Sequence, residues 1–193
     1  MISERFRFQQ YLVRRKIFRL FGGAFHIYDP SGNIAFYSEL KAFKLKEDIR
    51  LYTGEDMTKE LLVISARRII DFSAAYDVVD PSTNEKVGVL KRKGLKSILK
   101  DEWIIMDPAD KEIGLITEDS TALALVRRFL TNLVPQSYNI TINGAQAGFF
   151  KQNFNPFLLK LNLDFSMDKR NLLDRRLGIA AAVLLCAIEG RQQ

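Results

Sequence analysis

The chain has one cysteine and one histidine in 193 residues. A single thiol, Cys186, cannot close a disulfide within the chain, and its lone presence fits a reducing compartment. With His26 as the sole imidazole, the serine, cysteine and metal mechanisms that use histidine as base or ligand lack their usual partner. Phosphate loops are missing as well. Gly22-Gly23 is not part of a G-x-G-x-x-G pattern, and no GK[ST] sequence occurs. No apolar run reaches the roughly 20 residues of a membrane-spanning helix. The opening MISERFRFQQ carries charge where a signal peptide would place its apolar stretch. These absences point to a non-catalytic cytoplasmic protein with no metal site and no cofactor.

What is present begins at the C-terminus. Leu177 to Ile188 (LGIAAAVLLCAI) holds no polar side chain apart from the thiol of Cys186. A surface helix shows a polar stripe, so a helix apolar all round has to be enclosed on every side. At 1.5 Å per residue the segment is roughly 18 Å long, too short for a membrane and suited to the interior of a protein.

Four other segments share one design: FHIYDPSGNIAFYS from Phe25, YDVVDPSTNEKVGVL from Tyr76, WIIMDPADKEIGLIT from Trp103 and YNITINGAQAGFFK from Tyr138. Each opens on an aromatic, alternates through apolar residues, turns, and resumes. Proline presets φ for a type I turn and the preceding aspartate hydrogen-bonds the turn backbone, while Asn143-Gly144 suits the positive φ values of a type I′ turn. The spacing predicts four β-hairpins. Their opening aromatics stand 51, 27 and 35 residues apart, which excludes the fixed period of a solenoid and favours a closed antiparallel barrel. Further strands are predicted at Gln10 to Phe18, Ile49 to Thr53, Leu61 to Ala66 and Phe157 to Phe165, for about twelve in all. A barrel of that size is too wide for its wall to fill, so Leu177 to Ile188 is predicted to run through it. Between Ser120 and Val134, Leu123, Val126, Phe129, Leu130 and Leu133 recur at helical spacing, predicting a helix on the surface. The expectation is one mainly β domain over residues 1–193, with strands over 10–165 and a central helix over about 169–189.

The DP hairpins, ARRIIDFSAAYDVVDP (Ala66 to Pro81), WIIMDPADKEIGLI (Trp103 to Ile116) and the closing LNLDFSMDKRNLLDRRLGIAAAVLLCAIEG (Leu161 to Gly190) resemble a LURP-one-related protein of the tubby C-terminal-like and phospholipid scramblase group. The resemblance runs from about Gln10 to Gly190. It implies a twelve-stranded barrel threaded by a hydrophobic helix, and a link to phospholipids. It carries no headgroup-binding position onto this chain. The stretch matching the calcium-associated segment of scramblases holds Asp164, Asp168 and Asp174 without the D-x-[DN]-x-[DN]-G spacing of a calcium loop.

Charge supplies the candidate site. The formal net charge is +6. Lys86, Lys91, Arg92, Lys93, Lys96 and Lys100 follow one another with no acid between them, and Asp101 to Asp119 is strongly acidic. Such a sequence predicts either mutual neutralisation on neighbouring strands or a basic surface for phosphate or anionic lipid. The residues assigned to lipid headgroups are Lys91, Arg92, Lys93, Lys96 and Lys100, with Arg67 and Arg68. Because adjacent strand residues face opposite sides, Lys91-Arg92-Lys93 cannot form one patch within a strand. The partner expected first is an anionic membrane surface, met peripherally. A protein partner is the alternative, and a carrier of hydrophobic ligands the third. Nucleic acid is disfavoured because the hairpin aromatics read as barrel packing.

Overall fold

Turn chemistry sets the strand boundaries. Asp29 Oδ1 accepts the N–H groups of Ser31 and Asn33, both at 2.9 Å. Asp107 Oδ1 does the same for Ala109 and Lys111 at 2.9 and 3.0 Å, and Asp80 Oδ1 for Ser82 at 3.0 Å. Asn143 and Gly144 take φ values of 48° and 78°, as a type I′ turn requires. The four predicted hairpins therefore form where the sequence places them.

The structure, a computed structural model, describes residues 2–16, 23–40, 48–67, 74–93, 102–119, 136–153 and 158–189. Twelve strands form: β1 (Gln10–Lys16), β2 (Gly23–Tyr28), β3 (Ile34–Leu40), β4 (Ile49–Tyr52), β5 (Glu60–Ala66), β6 (Ala75–Asp80), β7 (Glu85–Arg92), β8 (Glu102–Met106), β9 (Glu112–Glu118), β10 (Ser137–Ile142), β11 (Ala145–Asn153) and β12 (Leu158–Asp164). Each pairs antiparallel with its sequence neighbours, and β1 pairs with β12 from Gln10 opposite Asp164 to Lys16 opposite Leu158. The sheet is thus a closed barrel, and a C-terminal helix, α1 (Arg175–Glu189), completes the fold. The predicted surface helix over Ser120 to Val134 lies outside the described residues.

In an up-and-down barrel the connections alternate between two ends. The hairpin turns, the loop over 53–59 and the entry to α1 lie at one end, here the hairpin end. The opposite, far end carries the last residues of β1, β7 and β11 and the first of β2, β8 and β12. The closure is uneven. Among the described residues β3 and β4 meet through one registered pair, Tyr37 opposite Tyr52, whereas β1 and β12 are in register along their whole length.

The period of two along each strand sends one set of side chains inward. Val13, Phe25, Ile27, Phe36, Leu51, Ile64, Val78, Leu90, Ile105, Ile140 and Phe150 are buried there, in one core cluster with the helix. Ile179 to Ala187 are each 3 % exposed or less, so the helix is enclosed on every side as its composition requires. Gly178 marks the tightest contact: a Cβ there would lie 2.7 Å from Phe165 Cε1.

The helix begins at Arg175, later than the expected 169, because two aspartates first take up backbone donors. Asp168 accepts the N–H groups of Leu172 and Leu173 at 2.8 and 3.0 Å. Asp174 then caps the helix, its Oδ1 accepting the Arg176 N–H at 2.9 Å. The N-terminal segment closes the same end. Arg5 Nη1 donates to the carbonyls of Ile34, Ala35 and Thr53, and the Phe6 ring packs 4.7 Å from that of Phe36.

Candidate anion-binding surface

Three cations of the basic segments, Arg67, Lys86 and Lys93, are matched by acids in space. Arg67, just past β5, donates through Nε and Nη2 to Asp77 at 2.9 and 2.6 Å, and through Nη2 to Asp110 at 2.8 Å. Lys86 Nζ reaches Asp110 at 2.7 Å and Asp77 at 3.7 Å. Hydrogen bonds from Arg67 and Lys86 pull the Asp110 carboxyl down to about 2, and hydrogen bonds to Asp77 and then Asp110 raise the Arg67 guanidinium. Lys93 Nζ pairs with Glu102 at 2.9 Å. The basic segment and the acidic one after it therefore do neutralise each other across β7, β8 and β9 at these positions.

Lys91 and Arg92 separate as strand geometry demands. Lys91 is opposite Ile104 and faces outward, half-buried; Arg92 is opposite the buried Trp103 on the inner side. Lys96, Lys100 and Arg68 lie outside the described residues. Of the assigned cations that are described, Lys91 alone is both on the outer wall and clear of any ion pair among the described residues.

The barrel's closing strands assemble a different basic surface. One row of outward residues crosses five strands in register: Lys160 opposite Arg14, Arg14 opposite His26, His26 opposite Tyr37, and Tyr37 opposite Tyr52. On β11 the residue opposite Lys160 is Asn153; Lys151 lies on the neighbouring outward row, opposite Asn162 of β12. Arg14 and Lys151 are exposed and Lys160 is half-buried, and none of the three forms an ion pair among the described residues. Arg14 is held by its neighbours: its Cζ stands 4.8 Å from the centre of the Tyr28 ring, a cation–π contact. His26 Nε2 lies 2.6 Å from Glu55 Oε1, and its ring meets Tyr37 edge-on at 5.1 Å.

This arrangement is unfavourable as it stands. Directly opposite residues on antiparallel strands have Cβ atoms about 5 Å apart, and like charges there cost a few tenths of a kcal/mol or more. Lys160 and Arg14 form such a pair, and neither makes an ion pair with an acid among the described residues. The row can offer donors and charge to phosphate oxygens, with tyrosines beside them. It holds no nucleophile paired to a base, and no group of metal-ligating side chains occurs among the described residues.

Sequence reasoning missed the row because Arg14 and Lys160 lie near opposite ends of the chain. The usable signal was the outward phase of two clean strands, Tyr11-Val13-Arg15 and Leu159-Leu161-Leu163 facing in, which puts Arg14 and Lys160 outside.

The fold and its surface define a closed twelve-stranded antiparallel barrel filled by its own helix, with a basic and aromatic row on the outer wall. No family model, no curated protein and no solved structure matches the chain. No helix among the described residues is long and apolar enough to cross a membrane.

Proposed function

We propose that the protein is a non-catalytic barrel module that binds anionic phospholipid headgroups through the outer wall of β11, β12 and β1, at Lys151, Lys160 and Arg14. The observation that carries this reading is the Lys160–Arg14 pair, like charges directly opposite with no ion-paired acid among the described residues, which an anion would relieve. The likeness of the hairpins and closing segment to LURP-one-related proteins supports the same reading, since a helix-threaded barrel with a phospholipid link is what that likeness implies. On this reading the protein is cytoplasmic and peripheral to the membrane. Near an anionic surface each such cation contributes about 1 kcal/mol. Co-sedimentation with vesicles of phosphatidylcholine and phosphatidylserine tests it. The intact chain should pellet with mixed vesicles, release as salt rises, and lose binding on Arg14→Glu with Lys160→Glu. Equal recovery with phosphatidylcholine alone sinks the reading.

A second reading, a protein-interaction domain, draws on the single registered pair between β3 and β4. Sparsely paired strands offer backbone groups to an added strand. A disulfide between Tyr37→Cys and Tyr52→Cys, locking that seam, would abolish partner capture on this reading; partner capture equal to that of the parent chain would exclude the seam as the docking edge.

A further inference from the structure

The row that crosses the closing strands changes character along its length. Its positions on β12 and β1, Lys160 and Arg14, are cations set directly opposite each other. Its positions on β3 and β4, Tyr37 and Tyr52, are half-buried aromatics. His26 of β2 stands between them, and there a negative charge arrives from another element. Glu55 belongs to the loop over 53–59, after β4, yet its Oε1 lies 2.6 Å from His26 Nε2. The side chain therefore reaches back past β3 to β2.

The loop is built to hold that position. The Thr53 N–H donates to the Lys59 carbonyl at 3.0 Å, the Met57 N–H to the Gly54 carbonyl at 3.1 Å, and Arg5 Nη1 to the Thr53 carbonyl at 2.9 Å. Glu55 itself stays accessible, its side chain 63 % exposed against 27 % for His26. One carboxylate oxygen meets the imidazole, and a carboxylate has about four lone-pair sites, so it can accept from a further donor. Neighbouring strands stand about 4.8 Å apart, which puts the Lys160–Arg14 pair roughly 5–10 Å from the His26–Glu55 contact. Along one line the wall thus presents cations for an anion, then a carboxylate and tyrosine rings for a cation. That order complements a zwitterion, whereas a ligand carrying negative charge alone would meet repulsion at Glu55.

Resting on the lipid reading above, we propose that the row selects an amino-bearing headgroup, that of phosphatidylserine in a membrane. The phosphate sits between Lys160 and Arg14, and the ammonium is taken by Glu55 beside Tyr37. The bridge between phosphate and ammonium in this headgroup is comparable to one strand spacing. Phosphatidylglycerol has the same net charge and no ammonium, so it satisfies the cations and leaves Glu55 facing an anionic surface with no partner from the lipid.

Co-sedimentation with vesicles of phosphatidylcholine carrying equal mole fractions of phosphatidylserine or phosphatidylglycerol decides the assignment. The parent chain should bind the phosphatidylserine vesicles roughly two- to fivefold more tightly, the range an exposed ion pair supplies. Glu55→Gln should remove that preference. Asp56→Asn deletes the same charge from the next position of the loop and should keep it. Both side chains are exposed, and thermal transitions matching the parent's establish that both variants fold. Suppose the parent binds the two anionic vesicles equally and better than phosphatidylcholine alone, or both variants lose the preference alike. Either result overturns the headgroup assignment and leaves the lipid reading intact. Glycerophosphoserine free in solution should bind far more weakly than vesicles; equal affinity assigns the site to a soluble ligand and overturns the membrane source. A parent chain that binds none of the vesicles overturns the headgroup assignment and the lipid reading together.

Discussion

Two arginines at the start of α1 show how single residues fix the helix in the barrel mouth. The Arg176 side chain is 4 % exposed and meets Asp80 at 3.2 Å, Glu85 at 3.0 Å and Asp174 at 2.7 Å. Truncation leaves the Asp80 carboxylate, itself 8 % exposed, without its main counter-charge. Removing one partner of a buried pair costs about 3–5 kcal/mol, so Arg176→Ala should lower the urea midpoint by that equivalent, with the slope unchanged. Arg175 donates to Asp168 at 2.9 Å and lies 4.8 Å from the Phe165 ring centre. Burial pushes the Asp168 carboxyl up, but the N–H groups of Leu172 and Leu173 and the Arg175 guanidinium outweigh it and hold it below the usual carboxylate value. Asp80 is lowered on the same balance, by Ser82 and Arg176 against burial. A carboxyl depressed in the folded state stabilises above its unfolded pKa, about 3.9, and that stability drains as pH falls through the lower folded value. Stability measured by urea should therefore drop below about pH 4. Asp168→Asn should be less stable at neutral pH and show a shallower fall in acid; an unchanged acid profile would show that Asp168 is not among the groups responsible.

At the scale of elements, the helix and the hairpins were legible for different reasons. The four hairpins carry their own instructions, because an Asp-Pro or Asn-Gly turn folds through bonds within five residues. The helix was legible because a uniform apolar surface admits no environment but an enclosed one. Its start was not: the segment from Asp168 to Asp174 is helical in composition, yet two aspartates spend their oxygens on backbone N–H groups and postpone the first turn. Cross-strand pairing was the other gap. Lys86 and Lys93 look free in a sequence that runs without acids, and only register brings Asp110 and Glu102 within reach. Lys160 and Arg14 show the converse. The enclosed helix makes a sharp prediction. Ala182 is fully buried, and Ala182→Asp places a carboxylate there with no partner, a cost of several kcal/mol; the variant should fail to show a cooperative thermal transition. Gly178→Ala tests close approach without charge. Its methyl would press on Phe165, and overpacking of this kind costs about 1–3 kcal/mol, read as a lower urea midpoint in a protein that still folds.

For the whole molecule, the deciding question is whether the barrel can stand without its contents. A wall of twelve strands has an interior that its own side chains cannot fill, and here wall and helix share one core cluster. Burying each leucine, isoleucine or valine of α1 contributes about 1.5–3 kcal/mol, and Ile179, Val183, Leu184 and Leu185 alone then supply a sum comparable to the 5–15 kcal/mol that holds a domain folded. The thinly paired β3–β4 seam makes an emptied wall weaker still. A chain ending at Asp174 should therefore aggregate, or remain without a cooperative unfolding transition by circular dichroism, and adding a synthetic peptide of residues 175–189 should restore the transition in part. The same truncation separates the readings of function. If the shortened barrel stays soluble and folded, its interior is open to apolar molecules, and uptake of a fluorescent fatty acid would make the hydrophobic carrier the better account. If it collapses, the helix is part of the core, and whatever the protein binds has to be met on the outer wall or the rims, where Arg14 and Lys160 already face each other.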